Sequence, residues 1–226
     1  MNPKHKVLLV EDDSDLSFVI EHKLTSCGFI VCRVGNGSEA LSAFESFSPD
    51  IVIVDRLLPD MDGLDIVSHI RDVNARIPVL IHSVMSDIND VLRGFDCGVD
   101  DYIRKPCEMD ELVARVRTHL KSAEQYSETT STIGDFELDY DARALSFKGE
   151  RVSIKNMEFQ LLKILAENPD QFVSFSRLIY AMWNDCYYPC NDNIHVYVSH
   201  LRAILSRDKR INIINRRSIG YKLVVK

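Results

Sequence analysis

Residues 51–63 read Ile-Val-Ile-Val-Asp-Arg-Leu-Leu-Pro-Asp-Met-Asp-Gly. Four apolar residues in a row end on an acid, and a loop rich in proline, aspartate and glycine follows. A run with no polar alternation reads as a strand covered on both faces, as in a parallel sheet. Three more runs end in a similar way. Lys6–Val10 leads into Glu11 and Asp12, Pro78–His82 into Ser83, and Tyr102–Arg104 into Lys105 and Pro106. Laid side by side, they bring three carboxylates, a hydroxyl and an ammonium to one carboxyl edge, where open α/β sheets bind ligands.

Amphipathic helical patterns separate the runs. Leu16, Val19, Ile20 and Leu24 make one face after an Asp13/Ser14 cap, and Gly28 stops that helix before a second strand at 29–33. Ala40, Leu41 and Phe44 mark a second helix, and Ile66, Val67 and Ile70 a third. Ile88, Val91, Leu92 and Phe95 mark a fourth, and Leu112, Val113, Val116 and Leu120 a fifth. Five βα units with short loops predict an α/β fold, a doubly wound five-stranded parallel sheet with helices on both faces. Acids after the first and third strands favour the order 2-1-3-4-5.

Residues 122–132 are polar and aperiodic, which reads as a linker between a domain at 1–121 and another at 133–226. The second domain opens with alternating runs at 136–138, 144–147 and 152–154, an antiparallel meander. Helical patterns follow at 157–166, 175–182 and about 193–206, and the chain closes on strands near 211–214 and 220–225 that suit a hairpin. This half is α+β.

The net charge of −7 is unevenly spread. Residues 1–131 carry 13 Lys/Arg and 23 Asp/Glu, a balance of −10, and residues 132–226 carry 14 and 11, a balance of +3. Residues 191–226 alone hold 8 Lys/Arg against 2 Asp/Glu. An acidic front with a basic tail suggests that only the tail meets a polyanion, the alternative being that the tail is plain solvated surface. No apolar run approaches the roughly 18 residues a membrane span needs, and the charged start predicts no secretory signal. The 6 cysteines form no paired framework, so a cytoplasmic, reducing setting is expected. Cys186 and Cys190 with His195 and His200 match no standard zinc spacing.

Glu11, Asp12 and Asp55 are oxygen donors too few to cage calcium but suited to Mg2+, which keeps waters that a phosphate can replace. An aspartate held beside such an ion is a plausible nucleophile toward phosphorus, forming an acyl phosphate. Lys105 supplies a point charge and Ser83 a hydroxyl donor for the phosphoryl oxygens.

The elements VEDD (10–13), IVDRLLPDMDG (53–63), Ser83 and GVDDYIRKP (98–106) resemble the flavodoxin-like receiver domain of two-component response regulators. The resemblance implies that Asp55 is the phosphoacceptor, that Glu11, Asp12 and the Leu57 carbonyl complete the metal site, and that Lys105 precedes a cis Pro106. It makes Ser83 and Tyr102 a switch pair, and it implies a sensor histidine kinase as phosphoryl donor. It also implies a homodimer through the face of the fourth helix, fifth strand and fifth helix, with Asp100, Asp101, Glu111 and Arg115 at the interface. Val91 and Ser122 stand where the family often has basic residues. Val84 stands where Ala or Gly is usual, which narrows access to Asp55, and Cys107 replaces a common Phe.

In the second half, EFQLLKIL (158–165), LIYAMW (178–183), IHVYVSHLRAIL (194–205) and IGYKL (219–223) resemble the winged-helix domain of OmpR/PhoB-type regulators. A recognition helix from near Asp192 turns Ile194, Val198, Leu201 and Leu205 to the core. By the resemblance, Asn193, Tyr197, His200 and Arg202 face double-stranded promoter DNA, and Arg216 and Arg217 reach it from the wing. The segment 183–190 would touch RNA polymerase or the helix partner, the alternative being that Trp183 and Tyr187 are core. A transcription regulator switched by phosphorylation is thus expected, not an enzyme. The alternatives are a winged-helix regulator that works without phosphate and an aspartate-nucleophile phosphohydrolase. The hydrolase expects an acid two residues past its nucleophile, where Leu57 sits.

Overall fold

The computed structural model describes residues 5–84, 88–125, 130–183 and 191–226, and only the backbone of 88–89, 122–125 and 191–193. The chain divides into two compact units, Met1–Ser127 and Glu128–Lys226.

The first unit alternates β1 (Lys6–Val10), α1 (Ser14–Ser26), β2 (Ile30–Val34), α2 (Gly37–Phe47), β3 (Ile51–Val54), α3 (Gly63–Val73), β4 (Val79–Ser83), α4 (Ile88–Cys97), β5 (Asp101–Arg104) and α5 (Met109–Gln125). The five strands are parallel in the order β2-β1-β3-β4-β5, the expected one. Every residue of β3 and β4 is buried, while β2 at the edge is half exposed, which is why only the central strands read as unbroken apolar runs. Helix starts are set by side chains that accept from orphan amides. Asp13 Oδ1 accepts from Asp15 and Leu16, Asn36 Oδ1 from Glu39, and Asp62 Oδ1 from Leu64. Val7, Leu9, Ile20, Leu24, Ile53 and Leu112 belong to one buried cluster joining α1 and α5 to one face of the sheet.

The second unit runs β6 (Thr130–Ile133), β7 (Phe136–Asp139), β8 (Ala144–Phe147), β9 (Glu150–Val152), α6 (Asn156–Ala166), β10 (Val173–Ser174), α7 (Phe175–Trp183), α8 (Asn191–Leu205), β11 (Ile211–Arg216) and β12 (Gly220–Val225). The first four strands form an antiparallel meander, and β10-β12-β11 form a second sheet. Gly220 has φ 151°, and a Cβ there would sit 1.8 Å from the Val173 carbonyl oxygen, so the close pairing of β10 on β12 requires glycine.

Two expectations shift. The stretch read as a linker is shorter than 122–132, because α5 continues to Gln125 and β6 begins at Thr130. No helix breaker follows Leu120, and Thr130–Ile133 pairs with β7 as a polar edge strand. The third run of the meander is Glu150–Val152 in place of 152–154, because Lys148 and Gly149 both take positive φ. That is a two-residue hairpin turn whose register pairs Phe147 with Glu150. The segment expected to meet RNA polymerase lies, apart from Trp183, outside the described residues, as do Cys186 and Cys190, and Trp183 is fully buried core.

Asp208 ties the meander to β11. Its carboxylate accepts from the Asp135 amide at 3.0 Å and from Arg210 Nη2 at 2.7 Å. The Arg210 side-chain hydrogen bonds, then its backbone amide, hold the carboxyl far below the usual range against the opposing effect of burial. A depressed folded pKa stabilises fully above the ordinary carboxylate value of about 3.9 and loses that stabilisation as pH falls through the folded value. Asp208→Asn is therefore expected to lower the urea midpoint of this unit at neutral pH and to make little difference in strong acid. Urea titrations across the acid range check this, and a penalty that does not vary with pH counts against it.

Candidate functional site

Val10 pairs with Val54 across the first and third strands, so Glu11 and Asp12 leave the sheet edge beside Asp55. Ligand atoms of Glu11, Asp12 and Asp55 lie within 4.8 Å of one another. Lys105 arrives from the end of β5, its amide bonded to the Ser83 carbonyl at 2.9 Å. Lys105 Nζ donates to Glu11 Oε1 at 2.8 Å and to Asp55 Oδ2 at 2.5 Å. The Lys105–Pro106 peptide is cis, as expected. The side chains of Glu11, Asp55 and Lys105 are only 1%, 11% and 12% exposed, so this charged trio sits nearly out of water. The site opens to a cavity of about 590 Å³.

Neighbours and burial compete at each charge. Burial pushes the Asp55 carboxyl up, and repulsion from Glu11 adds to this, beyond what hydrogen bonds from Lys105 and the Leu57 amide recover. Burial acts the same way on Glu11, but the His82 imidazole 3.7 Å away and the hydrogen bonds and charge of Lys105 outweigh it and hold that carboxyl down. Burial would lower Lys105, yet the hydrogen bonds it donates to Asp55 and Glu11 push it up. The result is an ammonium clasped by two carboxylates, with a third beside it. A set of hard oxygen donors crowded this closely fits a divalent ion such as magnesium, whose charge relieves the repulsion between acids. Glu11, Asp12 and Asp55 are the residues to hold it, and the Leu57 carbonyl lies on the same loop.

Ser83 ends β4, 3% exposed, and its Oγ has no hydrogen-bond partner among the described residues, a buried donor with capacity to spare. The Tyr102 ring is turned inward, 9% exposed, edge-on to Phe95 at 5.2 Å. A Cβ on Gly94 would lie 1.5 Å from the Tyr102 hydroxyl oxygen, so only a residue without a side chain leaves space for this rotamer. Val84 lines the cavity yet is 64% exposed, so it leans over the rim instead of sealing it. Asp60 accepts from the Gly37 and Ser38 amides, tying the loop after Asp55 to the start of α2.

The charges expected at a dimer interface are engaged within the unit. Asp101 is fully buried and takes Arg115 Nη1 at 3.0 Å and His119 Nε2 at 3.3 Å. Asp100 accepts from Arg71 Nη2 at 2.7 Å and the Val79 amide at 2.8 Å, and Glu111 pairs with Arg115 at 2.9 Å. Asp101 is thus an internal anchor, not a surface contact, because its strand is covered by α5. Val91 is 3% exposed and packs in the core, so it occupies no interface position either. The side chain of Ser122 lies outside the described residues.

On α8, Ile194, Val198, Leu201 and Leu205 are buried as expected. Tyr197 is a correction. It is 8% exposed and stands beside Trp183, because a residue three positions after Ile194 falls on the same helical face. His200 is exposed but its Nδ1 lies 2.9 Å from Glu158 Oε1 on α6. Arg202 Nε and Nη2 both donate to the Ile213 carbonyl of β11, at 3.0 and 2.6 Å, so its guanidinium is fastened to the sheet. Arg216 and Arg217 are exposed on the hairpin, and the side chain of Asn193 lies outside the described residues. Tyr221 packs beneath the hairpin at 1% exposure, its hydroxyl against His195 Nδ1 and its ring 5.5 Å from Phe175.

Sequence reasoning missed His82, buried next to Glu11, and Arg71, which donates to the Gly98 and Ile77 carbonyls as well as to Asp100. It also missed Val196, 50% exposed, and Ser199 on the open face of α8. A polar residue inside an apolar strand was the one available signal, at His82.

The response regulator receiver domain family matches residues 7–117, and the family of C-terminal domains of transcriptional regulatory proteins matches residues 149–223. The chain belongs to the DNA-binding response regulators that join these two domains. Its relatives include the DNA-binding response regulator MtrA of Mycolicibacterium smegmatis, 33% identical over 97% of this chain and 96% of that protein. The transcriptional regulatory protein TrcR of Mycobacterium tuberculosis is 32% identical over 96% of this chain and 86% of that protein. The response regulator DrrB of Thermotoga maritima, described as an OmpR/PhoB homologue, superposes with a TM-score of 0.53 at 27% identity, covering 98% of this chain and 100% of that one. A RitR mutant matches at TM-score 0.71 and 21% identity over 97% of this chain and 98% of that one, a likeness of fold alone.

Proposed function

We propose that Asp55 is the phosphoacceptor of this response regulator and takes its phosphoryl group from the phosphohistidine of a sensor kinase. An Asp55 carboxylate oxygen attacks phosphorus, the new O–P bond forms, and the N–P bond to the kinase imidazole breaks with its electron pair leaving on nitrogen. Lys105 exchanges a carboxylate for a phosphoryl oxygen, and the Ser83 hydroxyl donates to another. Magnesium held by Glu11, Asp12, Asp55 and the Leu57 carbonyl supplies charge neutralisation when bound. The observation that carries the reading is the ammonium of Lys105 clasped between Glu11 and Asp55 at the carboxyl edge of the sheet.

Movement of Ser83 toward the phosphoryl group lets Tyr102 settle further and repacks the α4–β5–α5 face, through which the chain pairs with a second copy. The second unit then reads promoter DNA with α8 in the major groove, Arg216 and Arg217 on the backbone or minor groove, and RNA polymerase as the partner in transcription. The domains are proposed to meet within 122–132, and the setting is the cytoplasm.

A second reading, DNA binding without a phosphate requirement, draws support from the internal pairing of Asp100, Asp101 and Arg115. Gel mobility of the full chain on genome-selected DNA, with and without beryllofluoride and magnesium, separates the two. The switched regulator is expected to bind about tenfold tighter with the mimic, or ~1.4 kcal/mol. Equal affinity in both conditions supports the second reading.

A further inference from the structure

The cavity that exposes Asp55 also carries a thiol. Cys107, just past the cis peptide, lines it together with His82, and the Cys107 Sγ lies 3.4 Å from His82 Nε2. His82 is 1% exposed, and its Nδ1 stands 3.7 Å from Glu11 Oε2 with no hydrogen-bond partner among the described residues. Phosphoryl transfer as derived above uses neither side chain, yet a buried imidazole is costly without a polar task. In the neutral tautomer that keeps Nδ1–H on the Glu11 side, Nε2 can accept from the thiol. Of the four described cysteines, all free, only Cys107 lines this cavity. Burial pushes its thiol up, with Glu111 adding and Arg115 opposing. What singles it out is therefore access from the cavity and not thiolate abundance. The same cavity wall holds Asp12 and Asp13, which attract cationic reagents.

We propose that Cys107 is a modification site, forming a mixed disulfide with a small amine-bearing disulfide that enters the cavity, and that the adduct keeps phosphoryl donors from Asp55. This rests on Asp55 as phosphoacceptor. The Cys107 sulfur attacks one sulfur of the reagent, and an S–S bond forms to Cys107 as the reagent's own S–S bond breaks. The departing half leaves as a thiol, taking the electron pair and the proton that Cys107 gives up. Cys107 is oxidised and the reagent reduced. The ammonium of the retained half pairs with the acids and stands where a donor must approach.

The probe is cystamine, applied in excess to the full chain before acetyl phosphate and magnesium. Peptide mass mapping is expected to place the adduct on Cys107, and Asp55 phosphorylation to fall at least about tenfold, a barrier increase of ~1.4 kcal/mol. Dithiothreitol restores it, and Cys107→Ser incorporates phosphate equally with and without cystamine. An unmodified Cys107, an adduct that leaves phosphorylation unchanged, or equal inhibition of Cys107→Ser overturns the proposal. An untreated chain that takes no phosphate overturns the phosphoacceptor reading and this proposal together, whereas uptake insensitive to cystamine overturns this proposal alone.

Discussion

Asp55→Asn is expected to bring phosphate incorporation from acetyl phosphate down to background and, at the same time, to make the first unit more resistant to urea. The loss follows from removing the carboxylate held between Glu11, Lys105 and the Leu57 amide. A carboxamide is a poor nucleophile toward phosphorus and cannot give the acyl phosphate. The gain in stability follows from electrostatics. Burial and the charge of Glu11 raise the Asp55 pKa in the folded chain. A raised folded value means that ionising the group costs more in the folded than in the unfolded chain. Its favourable contribution is present below the ordinary carboxylate value of about 3.9 and is lost as pH rises through the folded value. At neutral pH the charged aspartate therefore detracts from stability, and the amide relieves it. Phosphate labelling and urea midpoints at neutral and acid pH measure both effects. Labelling of the variant at the wild-type rate would remove Asp55 from its role.

Lys105→Met should act in the opposite direction on stability while also impairing phosphoryl transfer. Methionine keeps most of the stem length but no charge, so Glu11, with a side chain 1% exposed, is left beside Asp55 without its cation. Breaking a buried ion pair from one side costs about 3–5 kcal/mol, and the open cavity places this case near the lower end. Lys105 has a raised folded pKa, so its contribution is complete below the unfolded lysine value of about 10.4 and is lost as pH rises through the folded value. The penalty should accordingly persist across the neutral range and shrink only in strong base. Magnesium should restore part of the lost stability by supplying the missing positive charge. For phosphoryl transfer, loss of one charged donor to the developing oxygens is expected to slow labelling roughly 10²–10³-fold. A urea midpoint identical to wild type would show that the clasp seen here carries no energetic weight.

Several readings survived from residues to structure because each rested on a local physical requirement. Buried parallel strands need apolar side chains on both faces, so Ile51–Val54 and Val79–Ile81 announce themselves. Helix starts need acceptors for orphan amides, so Asp13 is recognisable as a cap. The chemistry of the edge was legible because a strand end places its next residue at the site with no further choice. Where the reading failed, the deciding fact was a neighbour distant in sequence. Tyr197 is polar enough to suggest a groove contact, but Trp183 covers it. Asp101 looks like a surface acid until α5 brings Arg115 and His119 across it. Residues 130–132 look like linker until β7 pairs with them.

Periodicity and strand-end chemistry were thus enough to establish two units, a 2-1-3-4-5 sheet and three acids, a hydroxyl and a lysine on one edge. They were enough because main-chain geometry repeats every few residues and needs no distant partner. Which charges remain available was settled only by folding. Lys105 closing on Glu11 across 94 positions of chain, Arg202 fastened to β11, and His82 facing Cys107 under the Asp55 cavity all depend on long-range packing. A side chain's electrostatic state is a property of everything within a few ångströms of it, and chain order does not specify that neighbourhood.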